Sequence, residues 1–448
     1  MSLPPYPKYR ASGVEWLGEV PEHWDIPPLY MRYEVLLGKM LDEKRISGQH
    51  LLPYVRNVDV QWDRVNVDGL PVMDVAPVEF DRFTLKEGDL LVCEGGEVGR
   101  SAIWRGELIP CAYQKAIHRL RARSHNEITR FLYYCMRFAS ATEIFVAGSN
   151  PNTIPHLTGE KLRLYRFPRP PLKEQAQIAM FLDRETARID ALVVEQQRLI
   201  ELLTEKRQAV ISHAITKGLN PDEPMKRSGV QWLGDVPARW EVMPIRKAAK
   251  LESGHTPSRS HSEYWENCTV PWFTLADVWQ IREAKAEYIY ETKEKVSEIG
   301  LANSSARLLP KGTVMLSRTA SVGFSAIMGV DMATTQDFAD WICGPRLLPE
   351  FLLYVFRSME GEFRRLMMGS THNTIYMPDI QSLTFVLPPL DEQAAIVAFV
   401  RNEAKRFDEL TAAADHSTTV LQERRTAVIA AAVTGKIDVR GMGSAAAA

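Results

Sequence analysis

Thirteen residues near the N-terminus are written a second time in the middle of the chain, and this duplication limits the possible folds more than any other feature. Ser12-Gly13-Val14-Glu15-Trp16-Leu17-Gly18-Glu19-Val20-Pro21-Glu22-His23-Trp24 recurs as Ser228-Gly229-Val230-Gln231-Trp232-Leu233-Gly234-Asp235-Val236-Pro237-Ala238-Arg239-Trp240, with nine of thirteen positions identical at an offset of 216. A longer repeat lies at offset 218, where residues 171–219 align without a gap on 389–437 and 19 of 49 positions agree. It opens on Pro171-Leu172-x-Glu174-Gln175-Ala176 against Pro389-Leu390-x-Glu392-Gln393-Ala394 and closes on Arg207-x-Ala209-Val210-Ile211 against Arg425-x-Ala427-Val428-Ile429. Between the repeats lie two inserts of similar length, 25–168 and 241–386, whose sequences mostly disagree. Two modules on one scaffold, carrying different surfaces, are the expectation.

Residues 173–216 read as one helix, opened by Pro170-Pro171, with Glu174 in its first turn and Gly218 past its end. Leu182, Ile189, Gln196, Leu203 and Val210 recur every seven residues, interleaved with Ile178, Glu185, Leu192, Leu199 and Lys206. The second copy gives Val400, Phe407, Ala414, Leu421 and Val428 with Ile396, Glu403, Leu410, Ser417 and Arg424. A seven-residue apolar repeat buries its seam against a partner helix. The expected seam is Leu182, Ile189, Leu192, Leu199 and Leu203 against Val400, Phe407, Leu410 and Leu421. An antiparallel pair would set Glu185 and Glu403 near the basic Arg424 and Lys206. About 44 residues at 1.5 Å each make a rod of roughly 65 Å.

Each insert reads as short strands with turns and one or two helices, so the class is α+β. Lys86-Glu87-Gly88-Asp89 leads into a buried strand at Leu90–Cys93, and Lys311-Gly312-Thr313 into another from Val314. Both are followed by one signature, Val98-Gly99-Arg100-Ser101-Ala102-Ile103 and Val322-Gly323-Phe324-Ser325-Ala326-Ile327. Helices are expected over 127–145 and 349–368. The modules close on Gly148-Ser149-x-x-Asn152-Thr153-Ile154 and Gly369-Ser370-x-x-Asn373-Thr374-Ile375. A helix C-cap and turn accounts for the Gly-Ser pair; the Asn and Thr are also suited to a base edge or a phosphate.

No run of about 18 apolar residues and no signal-peptide core are present, which points to the cytoplasm. Five cysteines without a C-x-x-C pair suggest neither a disulfide framework nor a zinc site, and no metal is expected. A net charge of −2 argues against indiscriminate nucleic-acid binding. From Lys115 to Arg169, however, ten Lys and Arg face three acids, a local +7 that is either a solvated face or a DNA-binding stripe. Ile26-Pro27-Pro28-Leu29 and Arg169-Pro170-Pro171-Leu172 lack the amide or carboxylate of a methyltransferase tetrapeptide, and no phosphate-binding G-x-x-x-x-G-K-[ST] loop exists. Asp222-Glu223-Pro224-Met225-Lys226 faintly matches a nuclease cluster but sits where a linker is expected.

In order and twice over, the leader, the P-P-L-x-E-Q helix entry and the R-x-A-V-I helix end resemble the specificity subunits of type I restriction-modification systems, across about residues 12–440. The resemblance implies two target-recognition domains, 25–168 and 241–386, joined by two long antiparallel coiled-coil helices, 169–218 and 387–437. Residues 1–24 and 219–240 would be the two leaders with a linker, and 438–448 a disordered or added tail. It further implies a non-catalytic chain that reads a bipartite site on double-stranded DNA. Two methylation subunits carrying S-adenosylmethionine, and optionally two motor-nuclease subunits with ATP and Mg, would be its partners. The family does not fix base contacts by motif. Side-chain chemistry selects Arg100, Gln114, Lys115, Arg119, Asn150, Asn152 and Thr153 in the first module, and Arg318, Thr319, Gln336, His372, Asn373 and Thr374 in the second. The competing readings are a coiled-coil interaction scaffold without a DNA role and a recognition chain with its own nuclease or methyltransferase activity.

Overall fold

The computed structural model of the chain describes residues 4–41, 47–147, 155–282, 286–367 and 373–441. It divides into two compact units, residues 1–197 with 416–448, and residues 198–415. Each unit therefore holds one module, one leader and a segment of each long helix.

The two modules share a strand plan. In the first, Tyr33–Leu37, Ile117–Ala122, Leu90–Cys93 and Ser101–Ile103 form an antiparallel sheet in that order. In the second, Ala249–Ser253, Phe338–Cys343, Val314–Ser317 and Ser325–Met328 repeat it, and Tyr288–Ile289 adds a fifth, parallel edge. A smaller sheet accompanies each: Leu51–Val55 between parallel Ala112–Tyr113 and antiparallel Val72–Asp74, and Val270–Phe273 between parallel Ala333–Thr334 and antiparallel Glu294–Val296. Leu90–Cys93 and Val314–Ser317 are buried on both faces, which is why they read as unbroken apolar runs. The helices expected at 127–145 and 349–368 are Thr129–Ala141 and the pair Pro349–Ser358 and Glu360–Met367.

The long helices run Leu172–Lys217 and Leu390–Val433. In each unit the end of one packs beside the start of the other: Ile178 and Leu182 share a core with Ile429 and Val433, and Ile211 and Ile215 share one with Ile396 and Val400. The helices are thus antiparallel.

The duplicated motifs now acquire reasons. The leader tryptophan donates its indole N–H to the glutamate of the helix entry, Trp24 Nε1 to Glu174 Oε1 at 2.9 Å and Trp240 Nε1 to Glu392 Oε2 at 3.0 Å. The next residue is a buried glutamine that ties the module to the helix. Gln175 accepts from the Ile128 N–H at 2.9 Å and donates to the Pro170 and Asn126 carbonyls; Gln393 accepts from Leu348 at 2.9 Å and donates to Pro388 and Arg346. The arginine of the helix end pairs with an aspartate of the opposite helix, Arg425 with Asp190 at 2.7 Å and Arg207 with Asp408 at 3.7 Å. Asp190 and Asp408 are themselves one repeat position at offset 218, so the two latches are copies of each other. Glycine ends each long helix in the left-handed region, Gly218 at φ +78 and Gly435 at φ +73. A Cβ on Gly435 would come 2.4 Å from Pro21 Cδ.

Three expectations are corrected. Glu185 and Glu403 do not reach Arg424 and Lys206; they pair with Arg184 and Arg406 of their own helices, and the Asp–Arg latches set the register instead. The apolar stripe is not buried throughout: Leu182, Ile189, Val400 and Phe407 are buried and Leu203 and Leu421 half-buried, but Leu192, Leu199 and Leu410 are exposed. The tail expected from 438 is packed at its start, because Val439 is buried in the first unit's core and Asp438 donates its N–H to the Pro4 carbonyl at 2.8 Å.

Candidate nucleic-acid interface

In the second module four loops are laced together at the ends of the strands. Arg318 follows the Val314–Ser317 strand directly. Its backbone N–H donates to Asp337 O at 2.9 Å, its carbonyl accepts from Ile375 N at 2.9 Å, and its side-chain Nε donates to Gln336 O at 3.1 Å. Thr319 bridges Thr374. Asn373 holds φ +46, a left-handed conformation that asparagine tolerates better than most residues. Arg318, Thr319, Gln336, Asn373 and Thr374, widely separated in sequence, thus come together; His372 lies outside the described residues. The fourth loop was missed in the sequence. Thr256 Oγ1 donates to Gln336 Oε1 at 2.9 Å, and His255 N donates to Thr334 O at 3.1 Å. The chain passes so close here that a Cβ on Gly254 would meet Thr334 O at 2.0 Å.

The first module repeats this lacing. Glu94 N donates to Ala116 O at 2.9 Å and Glu94 O accepts from Leu157 N at 2.8 Å, as Arg318 does with Asp337 and Ile375. Gln114 N donates to Val55 O as Thr335 N does to Phe273 O, and Ile117 N donates to Gln114 O as Phe338 N does to Thr335 O. A Cβ on Gly38 would meet Gln114 O at 2.3 Å. The repeated Gly38 and Gly254, at the leader's own offset of 216, were the signal in the sequence that pointed to this loop. The correspondence places Gln114 opposite Thr335, and Lys115 opposite Gln336. Lys115 and Gln336 are both exposed, each between residues whose backbone groups are tied down. An exposed side chain on a fixed loop, with Gln336 keeping its amide NH2 group outside the Thr256 contact, is the geometry that base reading requires.

Other candidates are placed differently. Arg119 is 1% exposed. Its guanidinium donates to the carbonyls of Asp81, Arg82 and Thr84 and to Glu34 Oε2, so it stabilises the sheet and is removed from the interface. Arg100 turns inward and donates to Asn57 O and Oδ1 at 3.0 and 3.1 Å; it braces its loop. Asn150, Asn152 and Thr153 lie outside the described residues.

The basic run is mostly consumed internally. Arg121 forks onto Asp89, Arg130 onto Asp63 and Asp183, and Arg169 reaches Asp25, while Arg123, Arg163 and Arg166 donate to carbonyls of Tyr30, Val35 and Ile26. The carboxylates concerned lie outside the 115–169 window, which is why the window looked unpaired.

Beneath the second lacing lies a buried acid. Asp340 accepts from Thr334 Oγ1 at 2.6 Å, and burial, with Glu252 adding a like charge, pushes its carboxyl up to about 7. In the first module the matching strand position is Arg119.

Residues 38–202 and 237–414 match the family model described as type I restriction modification DNA specificity domain. The chain is 23% identical over 436 residues to a putative type I restriction enzyme MjaX specificity subunit of Methanocaldococcus jannaschii, covering 95% of this chain and 96% of the relative. It is also 23% identical to the StySPI specificity subunit of Salmonella potsdam, over 94% and 90% of the two chains. Its fold resembles a chain from a study described as "Structural basis underlying complex assembly and conformational transition of the type I R-M system", with TM-score 0.70, 18% identity and 92% and 98% coverage. The HsdS subunit from Thermoanaerobacter tengcongensis follows at TM-score 0.55, 16% identity and 93% and 98% coverage. Among the described residues no helix is long and apolar enough to cross a membrane.

Proposed function

The chain belongs to the type I restriction-modification DNA specificity family, and from that premise we propose how its two modules divide the work. Each module reads one half of a bipartite site on double-stranded DNA, and the paired helices set the gap between the halves. The observation that carries this reading is the loop lacing held in common while its exposed occupant changes from Lys115 to Gln336. A lysine at that point neutralises phosphate or donates to guanine; a glutamine donates and accepts at a base edge. Arg318, Thr319, Asn373, Thr374 and Thr256 flank the second reader, and Gln114 and the Gly38 loop flank the first.

The chain supplies address rather than chemistry. Methylation of adenine falls to two methylation subunits that carry S-adenosylmethionine, and cleavage to motor-nuclease subunits that use ATP and Mg, in the cytoplasm. The charged trio at Asp222-Glu223-Lys226 supports this division. Glu223 is held by Arg239 at 2.8 Å and the Lys226 ammonium donates to Trp240 O at 2.6 Å, so both serve leader packing. The test is a methylome of cells expressing this chain with its methylation subunit. A split motif that disappears without the chain is expected; absence of any chain-dependent motif rejects the reading. Absence of salt-dependent binding to duplex DNA when the methylation subunit is present would favour the interaction scaffold instead.

A further inference from the structure

A cleft recurs at one place in both units, between the module's helix and the Arg-x-Ala-Val-Ile end of a long helix. In the first unit it measures about 230 Å³ and is lined by Trp62, Glu97, Arg137, Phe138, Arg425 and Ile429. In the second it measures about 350 Å³, and Arg207, Ile211, Phe356, Arg357, Phe363 and Arg364 are among its lining. Arg425 and Arg207 are one repeat position. Arg137 and Arg357 each lie nine residues after the N–H donor to the duplicated glutamine, Ile128 and Leu348. Each repeated helix arginine therefore meets an arginine, Arg137 or Arg357, held at one position in inserts whose sequences mostly disagree.

In the second pair each arginine has an Nε–H without a hydrogen-bond partner. Arg357 Nη2 donates to Ala286 O at 2.7 Å, but its Nε is buried without a hydrogen-bond partner. Arg207 Nε is also without one, its nearest carboxylate oxygen being Asp408 Oδ1 at 3.7 Å. Burial holds the Arg357 guanidinium below its ordinary value against the opposing pull of Tyr354 and Glu287, and the charge of Arg207 adds a smaller push the same way as burial. Arg282 also lines this cleft, and Arg364 carries its one lining acid, Glu360. In the first cleft Arg137 lies 4.8 Å over the Trp62 ring, Arg425 is satisfied by Asp190, and Trp62 Nε1 holds Glu97 Oε1 at 2.6 Å. A carboxylate already lines that mouth.

We propose that the two clefts are twin sockets for one segment of a protein partner that binds once per unit, an apolar segment presenting a carboxylate to the arginine pair. Resting on the function proposed above, the partner is the methylation subunit. Two arguments separate a protein from a DNA phosphate. The walls of Phe138 and Ile429, and of Phe356, Phe363 and Ile211, reward apolar side chains and offer nothing to a sugar-phosphate backbone. The pair is also the same in both units, whereas the reading loops differ, so its ligand is one that both halves meet alike. The second socket, with its two unpartnered Nε–H groups, binds the more tightly, since a buried donor without an acceptor is costly until one arrives.

The full chain and purified methylation subunit are mixed and counted by native mass spectrometry, with affinity followed by titration. Two copies on the unaltered chain are expected; none at all removes the functional reading and leaves the sockets without a partner. Arg282→Glu with Arg364→Glu, both exposed, is expected to weaken one binding event at least tenfold and leave the other. Arg137→Met is expected to weaken the other several-fold, and the three together to abolish both. Arg357→Lys, which keeps the charge but loses the fork, covers the case in which a rim variant fails to fold, and its expected result is the same selective loss. Two copies bound at unaltered affinity, with an unchanged melting curve, overturn the proposal. So does unaltered partner binding with weaker DNA affinity and a shallower salt slope, which would make the clefts phosphate sites.

Discussion

The two modules share their backbone hydrogen bonds and differ at the positions those bonds hold. Where the first has Glu94, Lys115 and Arg119, the second has Arg318, Gln336 and Asp340, while the lacing through Ala116, Val55 and Leu157 is matched through Asp337, Phe273 and Ile375. Main-chain bonds are indifferent to side-chain identity, so a reading surface can be rewritten without moving the loops that present it. The leaders, by contrast, keep both frame and side chain, because Trp24 and Trp240 are used through their indoles.

The largest expected effect breaks the likeness of the leaders. Glu174 is nearly buried and accepts from Tyr6, Trp24 and His23, whereas Glu392 is more exposed and accepts from Arg239 and Trp240. Glu174→Ala should cost about 3–5 kcal/mol through orphaned buried donors, and Glu392→Ala about 1–3. Chemical denaturation of each variant measures the gap, and equal losses would show that the leaders are energetically alike. Next, Arg119→Met should lower stability by about 3 kcal/mol, leaving Glu34 and three carbonyls without their donor, and leave the methylated motif unchanged. A changed motif at full stability would return Arg119 to the interface.

Lys115→Gln and Gln336→Lys should each alter one position of one half-site, shifting base preference by about 1–3 kcal/mol with the melting temperature unchanged. Methylome sequencing checks this, and an unaltered motif from both removes the pair as readers. The smallest effect concerns Asp340. Its carboxyl titrates near 7 when folded and near 4 when unfolded, so the unfolded state ionises first and stability falls as pH rises from about 4 to 7. Asp340→Asn should therefore raise the melting temperature more at pH 8 than at pH 5. Glu252, paired with Lys250 at 2.6 Å, faces it across the strand pair and stays in place in this variant.

Much of the architecture was legible because it rests on periodicity. Repeats, the two long helices and the buried strands at Leu90 and Val314 all follow from patterns that local sequence carries. Register was not legible: heptads say which face of a helix is apolar but not how far one helix slides along the other, and so Glu185 and Glu403 were set near Arg424 and Lys206, where the observed pairs are Asp190 with Arg425 and Asp408 with Arg207. The grouping of the candidate residues was half legible. Arg318, Thr319, Gln336, Asn373 and Thr374 do converge, since strand-end loops gather at one edge of a sheet. Arg119 was misplaced, and the basic run could not be settled, because their partners, Glu34, Asp63, Asp89 and Asp183, are distant in sequence and near only after folding.

The Asp–Arg latches carry one more implication. Each repeat contributes an acid and, seventeen residues on, a base, Asp190 with Arg207 and Asp408 with Arg425, so each helix is complementary to a second helix of its own kind. A chain cut to its first 220 or so residues would present both halves of the latch to an identical molecule. Such a fragment should dimerise, reading the same word twice as an inverted repeat where the intact chain reads two different ones.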